Sequence, residues 1–210
     1  MATRSNQRAR TRTAIVQGAA LLIDEGRADP SIDEIAERAA VSRATVYRYF
    51  DSAPDVVWQA FVDRSLPSVE ETFAEAGDDV LDRVLRAEAV VNDYLFGDAN
   101  GARSFERSVL QRVLDGTATA DDRVGRRFFY IDAALEPIAD RLPPADLERI
   151  RNSLALTMGS QVVSALLDSC KLDPDQARDV TTFTVRAIVH EALRLASASV
   201  LDSNGATADA

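Results

Sequence analysis

Apolar residues recur every three or four positions along most of the chain, and no segment shows the clear two-residue alternation of a half-buried strand. This pattern predicts an all-α protein. Capping residues, glycines and prolines divide the periodic stretches into separate helices. The predicted helices cover about residues 11–26, 32–39, 43–50, 54–66, 78–96, 102–114, 119–142, 145–169 and 174–200.

Residues 31–50 contain two helix starts that are separated by a very short connection. Ser31 can cap the first helix, and Glu34 three residues later completes a capping box. Ala40-Val41 leaves room only for a tight turn, and Ser42 can cap the second helix. Two short helices joined in this way form a helix-turn-helix. In its DNA-binding form the second helix lies in the major groove.

The second of these helices carries a basic face. If Val46, Tyr49 and Phe50 pack inward, the residues spaced i, i+1, i+4 and i+5 from position 43 share the opposite face. Two guanidinium groups on that face suit guanine or phosphate, and a phenol there can donate a hydrogen bond to phosphate. These residues are Arg43, Ala44, Tyr47 and Arg48. A solvated surface helix is the alternative, but the two caps and the interleaved aromatic residues favour DNA binding.

The last two predicted helices, residues 145–169 and 174–200, have apolar residues on more than one face. The short connection Cys170–Asp173 makes them antiparallel neighbours. An antiparallel pair of this kind usually packs against a copy of itself, so we expect a homodimer formed through residues 145–200. Burial of these faces within one larger core is the alternative.

Charge is distributed unevenly. Residues 1–50 hold eight arginines against six acidic residues, whereas residues 51–210 hold sixteen basic against 28 acidic residues. Arg4, Arg8, Arg10 and Arg12 precede the first acidic residue and form a basic arm. Because the acidic remainder is repelled by DNA, we expect double-stranded DNA to be bound end-on through the N-terminal domain.

The residues that catalysis or metal binding requires are scarce. His190-Glu191 resembles the start of a zinc-binding His-Glu-x-x-His helix, but residue 194 is arginine and the chain has one histidine. One cysteine, Cys170, permits no intramolecular disulfide and fits a reducing cytoplasm. We therefore expect no metal site, no cofactor and no enzyme activity. A helical dimeric enzyme is the alternative.

The N-terminus lacks a signal-peptide core, and no apolar stretch reaches the ~20 residues of a membrane span, so the expected location is the cytoplasm.

Aromatic and apolar residues of the middle helices are candidates for a small-molecule pocket. For each of them, packing in an ordinary core is the alternative. The candidates are Tyr94, Phe105, Phe128, Phe129, Met158 and Gln161. Arginines 103, 107 and 112 could pair with an anionic ligand, although arginine on a helical face is usually solvated.

The segment Thr11–Phe61 resembles the DNA-binding domain of TetR-type transcriptional regulators. A helix is followed by Ile-x-x-Ile-Ala over residues 32–36 and by Val-Ser-x-x-Thr-x-Tyr-x-Tyr-Phe over residues 41–50. The resemblance implies that Thr45 and Tyr47 contact phosphate and that Arg43 and Ala44 face the bases. The position of Arg48 varies in role among such proteins, and the position of Tyr49 often touches the DNA backbone. Such proteins commonly have a phosphate-binding lysine where this chain has Ala53, so Arg10, Arg12 and the rest of the arm must contribute more.

The resemblance also implies an architecture and a function. We expect an N-terminal arm and three-helix helix-turn-helix DNA-binding domain over residues 1–52, a helical ligand-binding and dimerisation domain over 53–201, and a disordered tail over 202–210. The expected function is ligand-responsive repression: a homodimer binds a palindromic operator, and a small apolar effector releases it. An activator or a ligand-independent regulator of the same fold is the alternative.

Overall fold

The computed structural model describes residues 2–27, 29–62, 66–117 and 126–206, and within these ranges it contains helices and turns but no strand. The all-α prediction is confirmed. In chain order the helices are α1 (Ala2–Asp24), α2 (Ile32–Arg38), α3 (Arg43–Tyr47), α4 (Ala53–Val62), α5 (Val69–Phe73), α6 (Val80–Gly97), α7 (Ala99–Leu114), α8 (Arg127–Ala139), α9 (Pro144–Thr157), α10 (Ser160–Val162) and α11 (Pro174–Ala206). A π-helix over Val163–Ser169 directly follows α10.

Residues 1–65 and 97–123 form one compact unit, here called the N-terminal unit. In it α4 packs against both α1 and α7, while α2 packs against α1 and α3. The core is formed by the apolar faces of these helices. Its buried residues are Ile15, Val16, Ala19, Leu22, Ile32, Ile35, Ala36, Val46, Phe50, Val56 and Ala60.

Residues 66–96 and 124–210 form a second compact unit, here called the C-terminal unit. In it α9 packs against α8 and α11. The large side chains that are fully buried there include Ile131, Leu135, Ile138, Leu154 and Met158. Pro137 lies inside α8, and Pro144 is the first residue of α9, where its missing N–H leaves no hydrogen bond unmade.

The packing groups the chain differently from the predicted domains. Helix α7 follows α6 in sequence yet belongs to the N-terminal unit, because it packs on α4 and α1. The predicted division between residues 52 and 53 concerns function and stays a prediction.

The basic arm is helical, which the sequence reading did not foresee. Helix α1 begins at Ala2 rather than near Thr11, so Arg8, Arg10 and Arg12 lie along its first half. The predicted closure at Gly26 is confirmed: this glycine has φ 88°, a left-handed conformation that ends the helix.

The predicted helix over residues 145–169 is interrupted. Helix α9 ends at Thr157, Met158 is extended (φ −134°, ψ 110°), and Gly159 takes φ 150° before α10 begins. The Gln161 side-chain amide donates a hydrogen bond to the Ala155 carbonyl oxygen at 3.0 Å, which satisfies a carbonyl at the open end of α9. The periodicity continues across the break because α10 and the π-helix are also apolar on one side.

Other boundaries differ from the predictions by a few residues. The predicted loop 97–101 shrinks because Asp98 accepts a hydrogen bond from the Gly101 N–H at 2.9 Å and caps α7. The last helix reaches Ala206. The disordered tail over residues 202–210 stays a prediction, and residues 207–210 lie outside the described residues. Residues 118–125, where the predicted helix 119–142 begins, also lie outside them, and its described part is α8.

Candidate nucleic-acid interface

The entry into α2 is fixed by the predicted capping box. The Ser31 hydroxyl oxygen accepts a hydrogen bond from the Glu34 N–H at 3.3 Å, and the Ser31 N–H donates to Glu34 Oε2 at 2.9 Å. The hydrogen bond from the Ser31 backbone, followed by that from its hydroxyl, lowers the pKa of the Glu34 carboxyl below its ordinary value. The reciprocal hydrogen bonds between Ser31 and Glu34 thus fix the first turn of α2.

The turn between α2 and α3 closes through a left-handed residue. Ala40 has φ 54°, the Ala40 N–H donates to the Glu37 carbonyl at 3.0 Å, and the Val41 N–H donates to the Ala36 carbonyl at 2.9 Å. These bonds satisfy the last carbonyls of α2 and reverse the chain within a few residues.

Helix α3 starts at the predicted cap and packs as predicted. Ser42 accepts a hydrogen bond from the Thr45 N–H at 3.1 Å, and the two hydroxyl oxygens of these residues lie 2.9 Å apart. Val46 is fully buried, Phe50 is buried and Tyr49 is half-buried, so all three face the core. The inward side of α3 is therefore the side that the sequence indicated.

The outward side of α3 is open to solvent. Arg43, Ala44, Tyr47 and Arg48 are all exposed, and Tyr47 retains 50% of its accessible surface. Arg43 Nε lies 3.0 Å from Asp33 Oδ1 of α2, in an ion pair that is itself exposed. The Arg48 guanidinium carbon lies 5.3 Å from the centre of the Tyr49 ring. Two guanidinium groups and one phenol on this side of α3 are thus accessible from solvent.

Arg10 and Arg12 have different surroundings on α1. Arg10 is exposed. Arg12 donates to Gln59 Oε1 of α4 at 2.7 Å, and its guanidinium carbon lies 5.2 Å from the centre of the Phe50 ring. Arg12 therefore connects α1 to α4 within the folded domain as well as adding positive charge there.

The start of α4 carries Ala53, followed by an engaged carboxylate. Asp55 pairs with Arg112 of α7, and the Ser52 hydroxyl donates to Asp55 Oδ2 at 2.7 Å. The Arg112 guanidinium carbon also lies 5.6 Å from the centre of the Trp58 ring. Arg107 pairs with Asp29 at 2.6 Å. Arginines 107 and 112 thus meet carboxylates of the protein itself, which the sequence could not show.

The predicted pocket residues do not gather in one place. Phe105 belongs to the N-terminal unit, where its ring stacks on Phe61 with centroids 4.3 Å apart. The other five lie in the C-terminal unit. Of these, Phe129 is 59% exposed, and Phe128 lies beneath Arg151, whose guanidinium carbon is 4.2 Å from the ring centre. Tyr94 is half-buried in α6, Met158 is fully buried, and Gln161 lies beside Met158 at the break after α9.

A buried polar cluster in the C-terminal unit was not predicted from the sequence. Glu88 Oε1 accepts hydrogen bonds from the Asn92 amide and the Thr181 hydroxyl, each at 2.7 Å. The Asn92 amide also donates to the Thr157 carbonyl at 2.9 Å, next to the break after α9. A Glu and an Asn spaced four apart on the inward face of an amphipathic helix were the available signal.

Within the described residues, no group of three or more His, Cys, Asp or Glu side chains could hold a metal ion. No helix in the same ranges is both long and apolar enough to cross a bilayer. Cys170 and His190 are both exposed.

An all-helical chain whose N-terminal unit presents a capped helix-turn-helix with an exposed basic face has the architecture of DNA-binding transcriptional regulators. Residues 15–53 match the family model described as bacterial regulatory proteins, tetR family. The chain has no significant match among curated protein sequences.

Two solved structures have a similar fold. One is a TetR transcriptional regulator from Rhodococcus sp. RHA1, with a TM-score of 0.60 and 18% identity, covering 87% of this chain and 97% of that one. The other is the fatty acid degradation regulator FadR from Bacillus halodurans, with a TM-score of 0.59 and 18% identity, covering 83% and 93%. The resemblance seen in the sequence is confirmed: residues 15–53 match the tetR family, and the fold is similar to that of solved TetR-type regulators.

Proposed function

We propose that this protein is a ligand-responsive transcriptional repressor that binds a palindromic operator as a homodimer. The observation that carries the proposal is the outward face of α3, where Arg43, Ala44, Tyr47 and Arg48 are exposed on a helix with capped ends and a buried opposite side. A helix of this kind fits the major groove with its first residues against base edges.

The proposed contacts divide into those that read bases and those that hold phosphate. Arg43 reads a base by pairing with the O6 and N7 acceptors of guanine, and Ala44 lets the backbone approach the groove floor. Contacts to the phosphates and sugars fix the register of the helix on the duplex. We assign these to Ser42, Thr45, Tyr47, Arg48, Tyr49, Arg10 and Arg12.

Arg43 is already paired in the free protein, which bears on specificity. Its 3.0 Å contact with Asp33 is exposed, so the pair is weak and exchanges readily for a guanine. On a duplex without guanine at that position, Arg43 keeps Asp33 as its partner, and the complex lacks the base contact. Asp33 therefore favours discrimination over uniform attraction to DNA.

The homodimer is proposed from exposed apolar side chains on the last long helices. Leu156 of α9 and Phe183 of α11 are 74% and 73% exposed, and Val180 and Leu193 of α11 are 39% and 38% exposed. Large exposed apolar residues at these positions favour an isologous interface with a second copy of residues 145–200. Two-fold symmetry would then match a palindromic operator, with recognition helices about 34–36 Å apart or a little more.

The effector is proposed to be a small apolar molecule that binds in the C-terminal unit. The segment around Met158 and Gln161 supports this assignment, because the helix is broken there and the buried Glu88–Asn92 pair reaches the same backbone through Thr157. A break of this kind can change its conformation at lower cost than a continuous helix. Tyr94, Phe128 and Phe129 are further candidates. Effector binding would release the operator.

The proposal is tested by selecting bound sequences from random DNA with the full-length protein. A palindromic consensus bound with a steep salt dependence is the expected result. Selection of no consensus, or binding that is insensitive to salt, would contradict it. Apolar small molecules are then screened for release of the selected site. Loss of the gene separates the two directions of control, since transcription from that site rises for a repressor and falls for an activator.

A further inference from the structure

A small cavity of about 180 Å³ lies within the N-terminal unit. Helix α7, the start of α4 and the segment before α2 form its walls, and the residues on those walls include Asp29, Pro54, Val57, Ser104 and Arg107. Its volume is close to that of protein cavities of about 150 Å³ that hold benzene, so a molecule of about six to ten non-hydrogen atoms fits.

The α7 wall of this cavity is polar where a purely structural contact would be apolar. Ser104, Arg107, Ser108 and Gln111 follow the i, i+3, i+4, i+7 spacing of one helical face. Ser104 and Ser108 are 1% and 3% exposed, on a helix that packs against α4. Alanine would serve packing alone at least as well, so a buried hydroxyl without a hydrogen bond on this face calls for another explanation.

Ser104 in particular lacks a partner. Its hydroxyl oxygen is buried, and no group in the described part of the chain forms a hydrogen bond with it. Ser108, one helical turn further on, satisfies its own hydroxyl by donating to the Phe105 carbonyl at 2.7 Å. A buried hydroxyl is rarely left without a hydrogen bond, so Ser104 is placed to bond a guest molecule.

The same cavity has one charge of each sign. Arg107 and Asp29 lie 2.6 Å apart, and their side chains keep 61% and 54% of their exposure. An ion pair that is so exposed is weak and opens at low cost. A ligand with both a carboxylate and an ammonium group can take over each charge, the carboxylate on Arg107 and the ammonium on Asp29. Pro54 and Val57 supply an apolar wall for the rest of the molecule.

We infer that this cavity is a binding site for a small zwitterion of the free α-amino acid class. The site is separate from the effector region proposed above and lies inside the unit that carries α3. Pro54 and Val57 belong to α4, which begins shortly after α3 ends. A molecule bound in the cavity therefore contacts the helix that follows the recognition helix.

The test is ligand-detected NMR of the full-length protein with the twenty common amino acids, each at up to about 10 mM. The matching N-acetyl amino acids, which lack the ammonium group, serve as the ligand controls. We expect at least one amino acid to bind saturably and its N-acetyl form to bind at least about tenfold more weakly. If no amino acid binds, or if acetylation changes nothing, the proposal is overturned.

Two variants locate the site. Arg107→Gln removes an exposed charge and should weaken binding at least about tenfold. Arg149→Gln removes a similarly exposed arginine of α9, which pairs with Asp146, and should change nothing. Ser104→Ala deletes only the hydroxyl and should weaken binding several-fold. Circular dichroism establishes that each variant is folded. Equal affinity in wild type, Arg107→Gln and Ser104→Ala would overturn the assignment. None of these measurements uses DNA, so their outcome is independent of the proposed repressor function.

Discussion

At the scale of single residues, the recognition surface consists of side chains with unequal tasks. Arg43 is exposed and paired only with an exposed carboxylate, whereas Thr45 is half-buried and engaged with Ser42. Arg12 is tied to Gln59 and Phe50. A substitution at Arg43 therefore tests base reading, and one at Arg12 would disturb the fold as well.

Replacing Arg43 by alanine should relax specificity at one operator position by about 1–3 kcal/mol, because one bidentate base contact is lost. The loss is measured as the difference in binding free energy between the selected operator and a duplex changed at that position. Thermal stability should stay within about 0.5 kcal/mol of wild type, since the Asp33 pair is exposed. A uniform loss on both duplexes would contradict the assignment of Arg43 to a base.

Replacing Tyr47 by phenylalanine should weaken binding to all duplexes alike. Only the hydroxyl is removed, and a phosphate contact carries no direct sequence information. The expected loss is about 0.5–1.5 kcal/mol for one hydrogen bond. Fluorescence anisotropy with the operator and a scrambled duplex gives both values. A change in preference between them would assign Tyr47 to base reading instead.

At the scale of elements, short helices depend on their ends. Helices α2 and α3 have seven and five residues, too few to be stable alone, so caps and packing fix them. The start of α2 depends on the Ser31–Glu34 box, and its end on the left-handed Ala40.

Replacing Ser31 by alanine should destabilise α2 by about 1 kcal/mol through loss of the N-cap. Hydrogen exchange of the α2 amides measures the effect locally. Ser197→Ala is the control, because that exposed hydroxyl donates to the Leu193 carbonyl within its own helix, far from α2 in sequence. Protection of α2 unchanged by Ser31→Ala would show that packing alone fixes this helix.

The same box makes α2 sensitive to acid. The pKa of Glu34 is lowered in the folded protein, so its contribution to stability is full above the ordinary value of 4.5 and is lost as the pH falls through the folded pKa. Glu34→Gln should flatten this part of the pH dependence in the same exchange measurement. A variant with the wild-type acid dependence would contradict the assignment.

The break after α9 depends on glycine. At φ 150° an L side chain is strained, and an added Cβ would also push aside the ends of the flexible Gln161 and Arg127 side chains. Gly159→Ala should therefore destabilise the protein by about 1–3 kcal/mol. Gly77→Ala is the matched control, because its Cβ would meet no atom within 4 Å. Denaturant unfolding of both variants tests this, and equal stability of the two would show that the break tolerates a side chain.

At the scale of the whole molecule, the proposed dimer forms through exposed apolar side chains, and binding to the operator depends on that dimer. Phe183→Glu should weaken self-association by about 2 kcal/mol or more, because a charge replaces a large apolar side chain at the interface. Sedimentation velocity over a range of concentrations measures the effect. Leu114→Glu, which changes an 81% exposed leucine of α7, should leave the dimer intact. A wild-type monomer, or dissociation by both variants equally, would contradict the proposed interface.

Operator binding should follow dimerisation. If two recognition helices act together, Phe183→Glu loses most of its affinity for the palindrome but keeps the affinity of wild type for a single half-site. The same anisotropy measurement with both duplexes distinguishes loss of the dimer from damage to α3.

The sequence by itself determined helices α2 and α3 and the outward face of α3. Caps, periodicity and a short turn act over a few residues, so the start of α2, the cap of α3 and the choice of Val46 as an inward-facing residue can be predicted from the local sequence. The resemblance to the TetR family rests on this segment, and the family match covers it.

Tertiary structure decided what depends on residues that are far apart in sequence. The placing of α7 with α1 and α4, the pairing of Arg107 and Arg112 with carboxylates, and the Glu88–Thr181 hydrogen bond all join such residues. The break at Gly159 was also hidden, because both sides of it keep an apolar face. A helical period states which face is buried, but only the packed chain shows which helix covers it.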